Sequence, residues 1–213
     1  MEPLAGLLGA AGFVLGIAAD RLAVRWPEHD EEHPAGRAVD WRTAVAALVG
    51  ALALGLLVLR FGGDTLAMAI FGAWFVTLII GLATDLDQRL LPDVLTLPVV
   101  PVALVYALSG QNPFVGGSIV LAVIAAIVVP LLLYLPSIPF GAGAFGMGDV
   151  KLLAGVGLLT GASRLVGSVV FALVLSGVVL VALLATRRIG RKTYVPFGPF
   201  FIIGALWVVL FRP

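Results

Sequence analysis

Acidic side chains are the residues best placed to do chemistry, because the sequence offers few other reactive groups. It contains no cysteine and only two histidines. Disulfides, thiolate nucleophiles and thiolate metal sites are therefore excluded, and no Ser-His arrangement is recognisable. Two acidic segments stand out. Residues 83–93 read ATDLDQRLLPD and carry Asp85, Asp87 and Asp93; residues 145–151 read FGMGDVK, with Asp149 preceded by Gly146 and Gly148. Two close carboxylates cannot both ionise cheaply, so they share a proton. The ionised member then acts as a base on water, while the protonated one polarises a carbonyl. Such a pair hydrolyses without a metal or a thiol.

Both segments lie at the ends of long apolar runs. The chain of 213 residues is 61% hydrophobic and 12% charged, against roughly a quarter charged in soluble domains. Apolar runs cover 4–19, 44–59, 65–83, 94–108, 114–135, 150–159, 165–185 and 195–211. Lipid offers the backbone no hydrogen-bond partners, so these runs read as helices. The fold expected is an all-α polytopic membrane bundle of about eight transmembrane helices, with 1–213 as a single domain. Spanning takes about 20 apolar residues, so the runs beginning at Val94 and Val150 are short. Pro98 and Pro101 should kink the fourth helix.

Alternating the connections puts Arg21, Arg25, Arg37, Arg42, Arg89, Lys151, Arg187, Arg188, Arg191 and Lys192 on one side, leaving Arg60, Arg164 and Arg212 opposite. Ten against three marks the first side as cytoplasm. Segments 85–93 and 141–149 then share the cytoplasmic face of an inner membrane, and both termini lie outside. Met1-Glu2-Pro3 puts an acid where a signal peptide carries basic residues, so the first run reads as a retained span. A net charge of +1 gives no case for nucleic-acid binding; the surroundings are membrane lipid.

Each acid also has a plainer reading. Asp149 can be the N-cap of the sixth helix, Asp93 that of the fourth, and Asp85 or Asp87 an interfacial residue. Lys151 can be a cytoplasmic anchor or a cation that keeps Asp149 ionised. Segment 20–42, which contains EHDEEH, reads as the one sizeable cytoplasmic loop. His29 and His33 would share a face if helical, but Pro27 and Pro34 suit a loop, and no metal site is assigned.

The segment DLDQRLLPD (85–93), the G-x-G-D of Gly146–Asp149 followed by Lys151, and YVPFGPF (194–200) together resemble the type IV prepilin peptidases, a family of G-x-G-D aspartyl membrane proteases. The likeness runs well from 84 to 200 and more loosely to GFVLG (12–16) and Arg21. It implies that Asp85 and Asp149 are the catalytic pair, with Asp87 and Asp93 as the rivals in the first motif. Gly146, Gly148, Pro92, Asp93, Lys151, Pro196, Gly198 and Pro199 match supporting motif positions. It further implies removal of short basic leaders from prepilins or pseudopilins, after a glycine and just before the substrate's apolar helix, with no cofactor for cleavage.

Many members of that family carry a cysteine-rich zinc-binding insertion after the first helix and also methylate the new N-terminus. This chain departs there, having no cysteine and only a short acidic loop between Trp26 and Trp41. Cleavage without methylation is the expectation, and S-adenosylmethionine would be a cofactor only were methylation retained. The glycines of 141–149 leave that backbone loosely restrained, so a mobile loop is expected. Two other readings fit paired membrane acids. A presenilin or signal-peptide-peptidase type of protease shares G-x-G-D but lacks the D-x6-P-D and PFGP segments. A proton-coupled transporter would put its acids near the bilayer midplane rather than beside polar connections.

Overall fold

The computed structural model describes residues 2–29, 31, 35–116, 118–140, 145–190 and 195–212. Among them the chain is helical without strands: α1 (Glu2–Ala23), α2 (Trp41–Phe61), α3 (Thr65–Gln88), α4 (Asp93–Thr96), α5 (Val99–Leu108), α6 (Ile119–Tyr134), a 3-10 turn (Leu135–Phe140), α7 (Met147–Ala185) and α8 (Gly198–Leu210). Five of these, α1, α2, α3, α6 with its 3-10 extension, and α7, are long and apolar enough to cross a membrane; Asp93–Leu108 and Gly198–Leu210 are shorter apolar stretches. Large apolar side chains such as Val105, Val120, Leu132 and Val178 are more than half exposed, as suits a chain whose outer surface meets lipid rather than water. The protein is a helical membrane protein.

The structure divides into two compact units, 1–99 and 100–213. In the first, α1 and α2 pack backbone to backbone. A Cβ on Gly16 would strike the Ala46 carbonyl, and one on Gly12 the Gly50 carbonyl, which is the close approach that small residues permit between membrane helices. Helix α3 contributes the large buried side chains Phe71, Phe75, Leu78, Ile79 and Leu82, all at most 2% exposed and repeating every three or four residues. Phe71 stacks on Phe61 of α2 with ring centroids 4.8 Å apart. Side-chain caps start both later helices. Asp40 accepts the Arg42 N–H at 2.8 Å while Thr43 Oγ1 accepts the Asp40 N–H at 3.4 Å, and Asp64 accepts the Ala67 N–H at 2.9 Å.

In the second unit, Gly157 of α7 meets Ala126 of α6, and Phe171 of α7 stacks on Trp207 of α8 with centroids 4.5 Å apart. Asn112 pins the turn before α6: its Nδ2 donates to the Leu159 carbonyl at 3.0 Å, and its Oδ1 accepts the N–H groups of Phe114 and Val115. Helix α7 is not straight. Gly161 has φ 79° and ψ 168°, and the Leu165 side chain comes within 2.9 Å of where a Gly157 Cβ would lie. Eight residues of straight helix would separate those positions by about 12 Å along the axis, so the chain folds back at Gly161.

Counted in halves, α7 accounts for the two apolar runs 150–159 and 165–185, so each of the eight runs has its helical segment. Several boundaries differ from the sequence reading. Segment 20–42 is not all loop: Asp20 lies in the last turn of α1, and Trp41 and Arg42 open α2. The fourth run is interrupted where its prolines were expected to disturb it: α4 ends at Thr96 and α5 starts after Pro98, with Pro101 in its first turn and Leu97, between the two helices, still in right-handed helical conformation. Asp93 is not a cap. Pro92 holds the N-cap position of α4, and Asp93 is an exposed acid in the first turn, where the helix dipole favours it.

Candidate functional site

Asp85 and Asp87 sit in the last turn of α3, two residues apart. At about 100° per residue they project some 200° apart around the axis, so they face different surroundings. Both are buried, at 5% and 7% exposure. Asp87 faces the α1–α2 connection: its Oδ1 accepts from Arg37 Nε at 2.7 Å and from an Arg42 terminal nitrogen at 3.1 Å, and His29 Nε2 lies 3.5 Å from Oδ2. A carboxylate held by two guanidinium groups is committed to a structural ion pair. The helix stops just beyond. Arg89 takes a left-handed conformation (φ 56°) and donates its N–H to the Asp85 carbonyl at 2.9 Å, while the Gln88 amide donates to the Ala23 carbonyl at 2.8 Å.

Arg37 joins three elements. Its three nitrogens meet Asp20 Oδ1 of α1 at 2.5 Å, Asp40 Oδ1 at the head of α2 at 2.6 Å, and Asp87 of α3. Burial works against its charge, but the hydrogen bonds with Asp20 and Asp87 outweigh that and lift its pKa above the ordinary guanidinium value. Asp20 is 1% exposed. It is also bound by the Arg21 guanidinium and by the Thr43 hydroxyl, which donates at 2.6 Å.

Asp149 lies in the second unit, at the third residue of α7, and is 8% exposed. It is not the N-cap; Gly146 is. Asp149 Oδ2 accepts the Gly146 N–H at 3.1 Å and so closes the open end of the helix from within. Gly146 itself has φ −92°, and a Cβ there would find its nearest neighbour at 3.8 Å. Local backbone geometry thus gives no reason for glycine at that position, unlike Gly161. Lys151, half-buried, lies two residues on in the same turn.

Of the other motif residues, Pro92 is buried before α4, Pro196 is half-buried, and Gly198 and Pro199 open α8 in buried positions. The 194–200 segment is thus a proline-led helix start. Tyr194, His33 and residues 141–144 of the expected mobile loop lie outside the described residues. No group of three or more His, Asp or Glu side chains fit to hold a metal occurs among the described residues. The ion-pair cluster of Asp20, Arg21, Arg37, Asp40, Arg42 and Asp87 was missed from sequence, where its cations served only as topology markers. The available hint was three acids and three arginines gathered at the end of α1, the start of α2 and the end of α3.

The profile of the type IV leader peptidase family matches residues 75–183, just over half of the chain. That window contains both acidic segments and ends before 194–200. A prepilin leader peptidase/N-methyltransferase of Burkholderia pseudomallei (strain K96243) is 34% identical over 76% of this chain and 52% of its own length. A type 4 prepilin-like proteins leader peptide-processing enzyme of Escherichia coli O78:H11 is 33% identical over 79% of this chain and 58% of its own. The Aeromonas salmonicida (strain A449) prepilin leader peptidase/N-methyltransferase is 30% identical over 59% and 43%. The chain spans about half the length of the curated relatives it matches. No solved structure matches it. With the family profile covering both acidic segments on apolar helices, the chain belongs to the type IV leader peptidase family.

Proposed function

We propose that this chain is an aspartyl endopeptidase that removes short basic leaders from type IV prepilin-like substrates at the cytoplasmic face of the membrane, with Asp85 and Asp149 as its catalytic pair. The observation that carries the reading is that the family profile spans both acidic segments, in which Asp85 and Asp149 stand where the resemblance puts the catalytic pair; Asp87, the rival in the first motif, is engaged by Arg37 and Arg42. Asp149 occupies the first turn of an apolar helix in the second acidic segment of the same family window. One carboxylate, ionised, takes a proton from water; the other, protonated, polarises the scissile carbonyl and later donates to the leaving amine. Pro92, Asp93, Gly146, Gly148, Lys151, Pro196, Gly198 and Pro199 support that chemistry as motif positions. The whole chain acts as a single peptidase domain.

Cleavage without methylation is the reading for the product, although relatives carry N-methyltransferase in their names. The connection after α1 has no cysteine, and its Arg37 binds Asp20 of α1 and Asp40 at the head of α2, so neither a zinc cluster nor an S-adenosylmethionine site is assigned to it.

Co-expression with a prepilin tests the assignment. Asp85→Asn and Asp149→Asn should each lower cleavage by roughly a thousandfold or more, and the double variant should lose no more than either single one, because members of one catalytic unit are not additive. Asp87→Asn should keep measurable cleavage. Full processing by either single variant sinks the pair. Mass measurement of the new N-terminus should find it unmethylated; a methylated product overturns the cleavage-only reading.

A further inference from the structure

Helix α3 ends at Gln88 and is capped by the left-handed Arg89. The last turn of a helix lacks the hydrogen bonds that hold its middle, and such turns fray. Asp85 stands in that turn. Two anchors secure it from the side facing α1: Asp87 to Arg37 and Arg42, and Gln88 to the Ala23 carbonyl.

Arg37 is the common member of this arrangement, although it belongs to the connection rather than to any helix. It reaches one carboxylate on each of α1 and α3 and the capping carboxylate of α2, each with a different nitrogen. The planar five-donor fork of arginine permits this; a lysine ammonium offers a single charged point. The cluster of Asp20, Asp40 and Asp87 with Arg21, Arg37 and Arg42 is balanced in charge. A partly buried ionic network of this kind is weak evidence for stability, and the glycine contacts of α1 with α2 and the aromatic core of α3 already join these helices. What the network adds is a fixed position for the end of α3.

We propose that Arg37 is a positioning residue for catalysis: by tying Asp20, Asp40 and Asp87 together it holds the terminal turn of α3, and with it the Asp85 carboxylate, in the orientation the reaction requires. This rests on the peptidase reading given above, because a reacting group must be held within about 0.5 Å of its productive geometry for that position to matter. In this role Arg37 acts through Asp87 and the backbone of the turn.

The full chain, purified in detergent and naturally free of cysteine, allows a test with two separable readouts. On the chain with Asp85 intact, Arg37→Met should lower kcat for prepilin cleavage by about a hundredfold, the scale expected of a displaced reacting group, with KM changing far less. Arg37→Lys should lower kcat as well, since it keeps the charge and loses the fork. Separately, a thiol placed by Asp85→Cys should react slowly with a water-soluble maleimide and markedly faster once Arg37→Met is added. A thiol placed by Leu78→Cys, two turns earlier on α3 and equally buried, should not change. If Arg37→Met cannot be recovered from membranes, Arg37→Lys carries both measurements. Wild-type kcat in the Arg37 variants overturns the proposal, and so does an equal rise in labelling at positions 78 and 85, which would mean that the whole unit had loosened. Should Asp85→Asn still cleave, the peptidase assignment falls, while the labelling contrast still reports whether Arg37 fixes the turn.

Discussion

Asp85 and Asp87 have the same chemistry and nearly the same burial, and what separates them is the company set by a two-residue offset on a helix. Asp87 shares Arg37 and Arg42, so removing its carboxylate leaves a partly buried guanidinium pair with fewer acceptors. Asp87→Ala should therefore destabilise the protein by about 2 kcal/mol, below the full cost of a severed buried pair because Arg37 keeps Asp20 and Asp40. Thermal unfolding in detergent measures this. Thr43→Val removes the hydroxyl that donates to Asp20 at 2.6 Å and should cost about 1 kcal/mol in the same assay. The sequence alone named Asp85 ahead of Asp87 through the family resemblance. It could not show the Arg37–Asp87 pair, since these partners stand 50 residues apart and no local pattern pairs them. Asp93 and Asp149 show the reverse limit: an acid beside a helix start was recognised in both, but cap and first-turn positions differ by a residue or a few, finer than hydrophobic patterning resolves.

At the scale of elements, the apolar runs fold as helices among the described residues because backbone in lipid has few alternatives to a helix. The connections were less legible, since side chains rather than hydrophobicity decide where they begin. Asp20 was read as loop because it is charged, yet α1 carries it into its last turn and neutralises it there with arginines. The bend of α7 is a case where one residue decides. At φ 79° and ψ 168°, Gly161 occupies backbone space that is essentially closed to side-chain-bearing residues, and a Cβ would stand 3.2 Å from the Phe114 carbonyl. Gly161→Ala should cost about 1–3 kcal/mol and lower the unfolding temperature. Gly177→Ala, in the second half of the same helix with open space around it, should be neutral or slightly stabilising. Equal effects of the two changes would mean that helix propensity, not the bend, governs α7.

For the whole molecule, the exposure of large apolar side chains fixes a bilayer as the solvent, but only the asymmetry of charge says which way the chain is threaded. The connection after α1 carries Arg25 and Arg37, and that after α3 carries Arg89. The connection between α2 and α3 has Arg60 at its edge and is otherwise Phe61-Gly62-Gly63-Asp64. By the positive-inside rule the first two are expected in the cytoplasm, the side on which the peptidase proposed above would meet a basic leader. Because the chain has no cysteine, single thiols report sidedness without background. Glu28→Cys, exposed in the first connection, should react with a membrane-impermeant maleimide only after the cell membrane is permeabilised. Gly63→Cys, exposed in the second with nothing within 4 Å of its new Cβ, should react once the outer barrier is opened and the inner membrane is left intact. The reverse pattern would put the end of α3, and Asp85 with it, on the far side of the membrane from an untranslocated leader. The peptidase reading would then lose its substrate, whatever the chemistry of its acids.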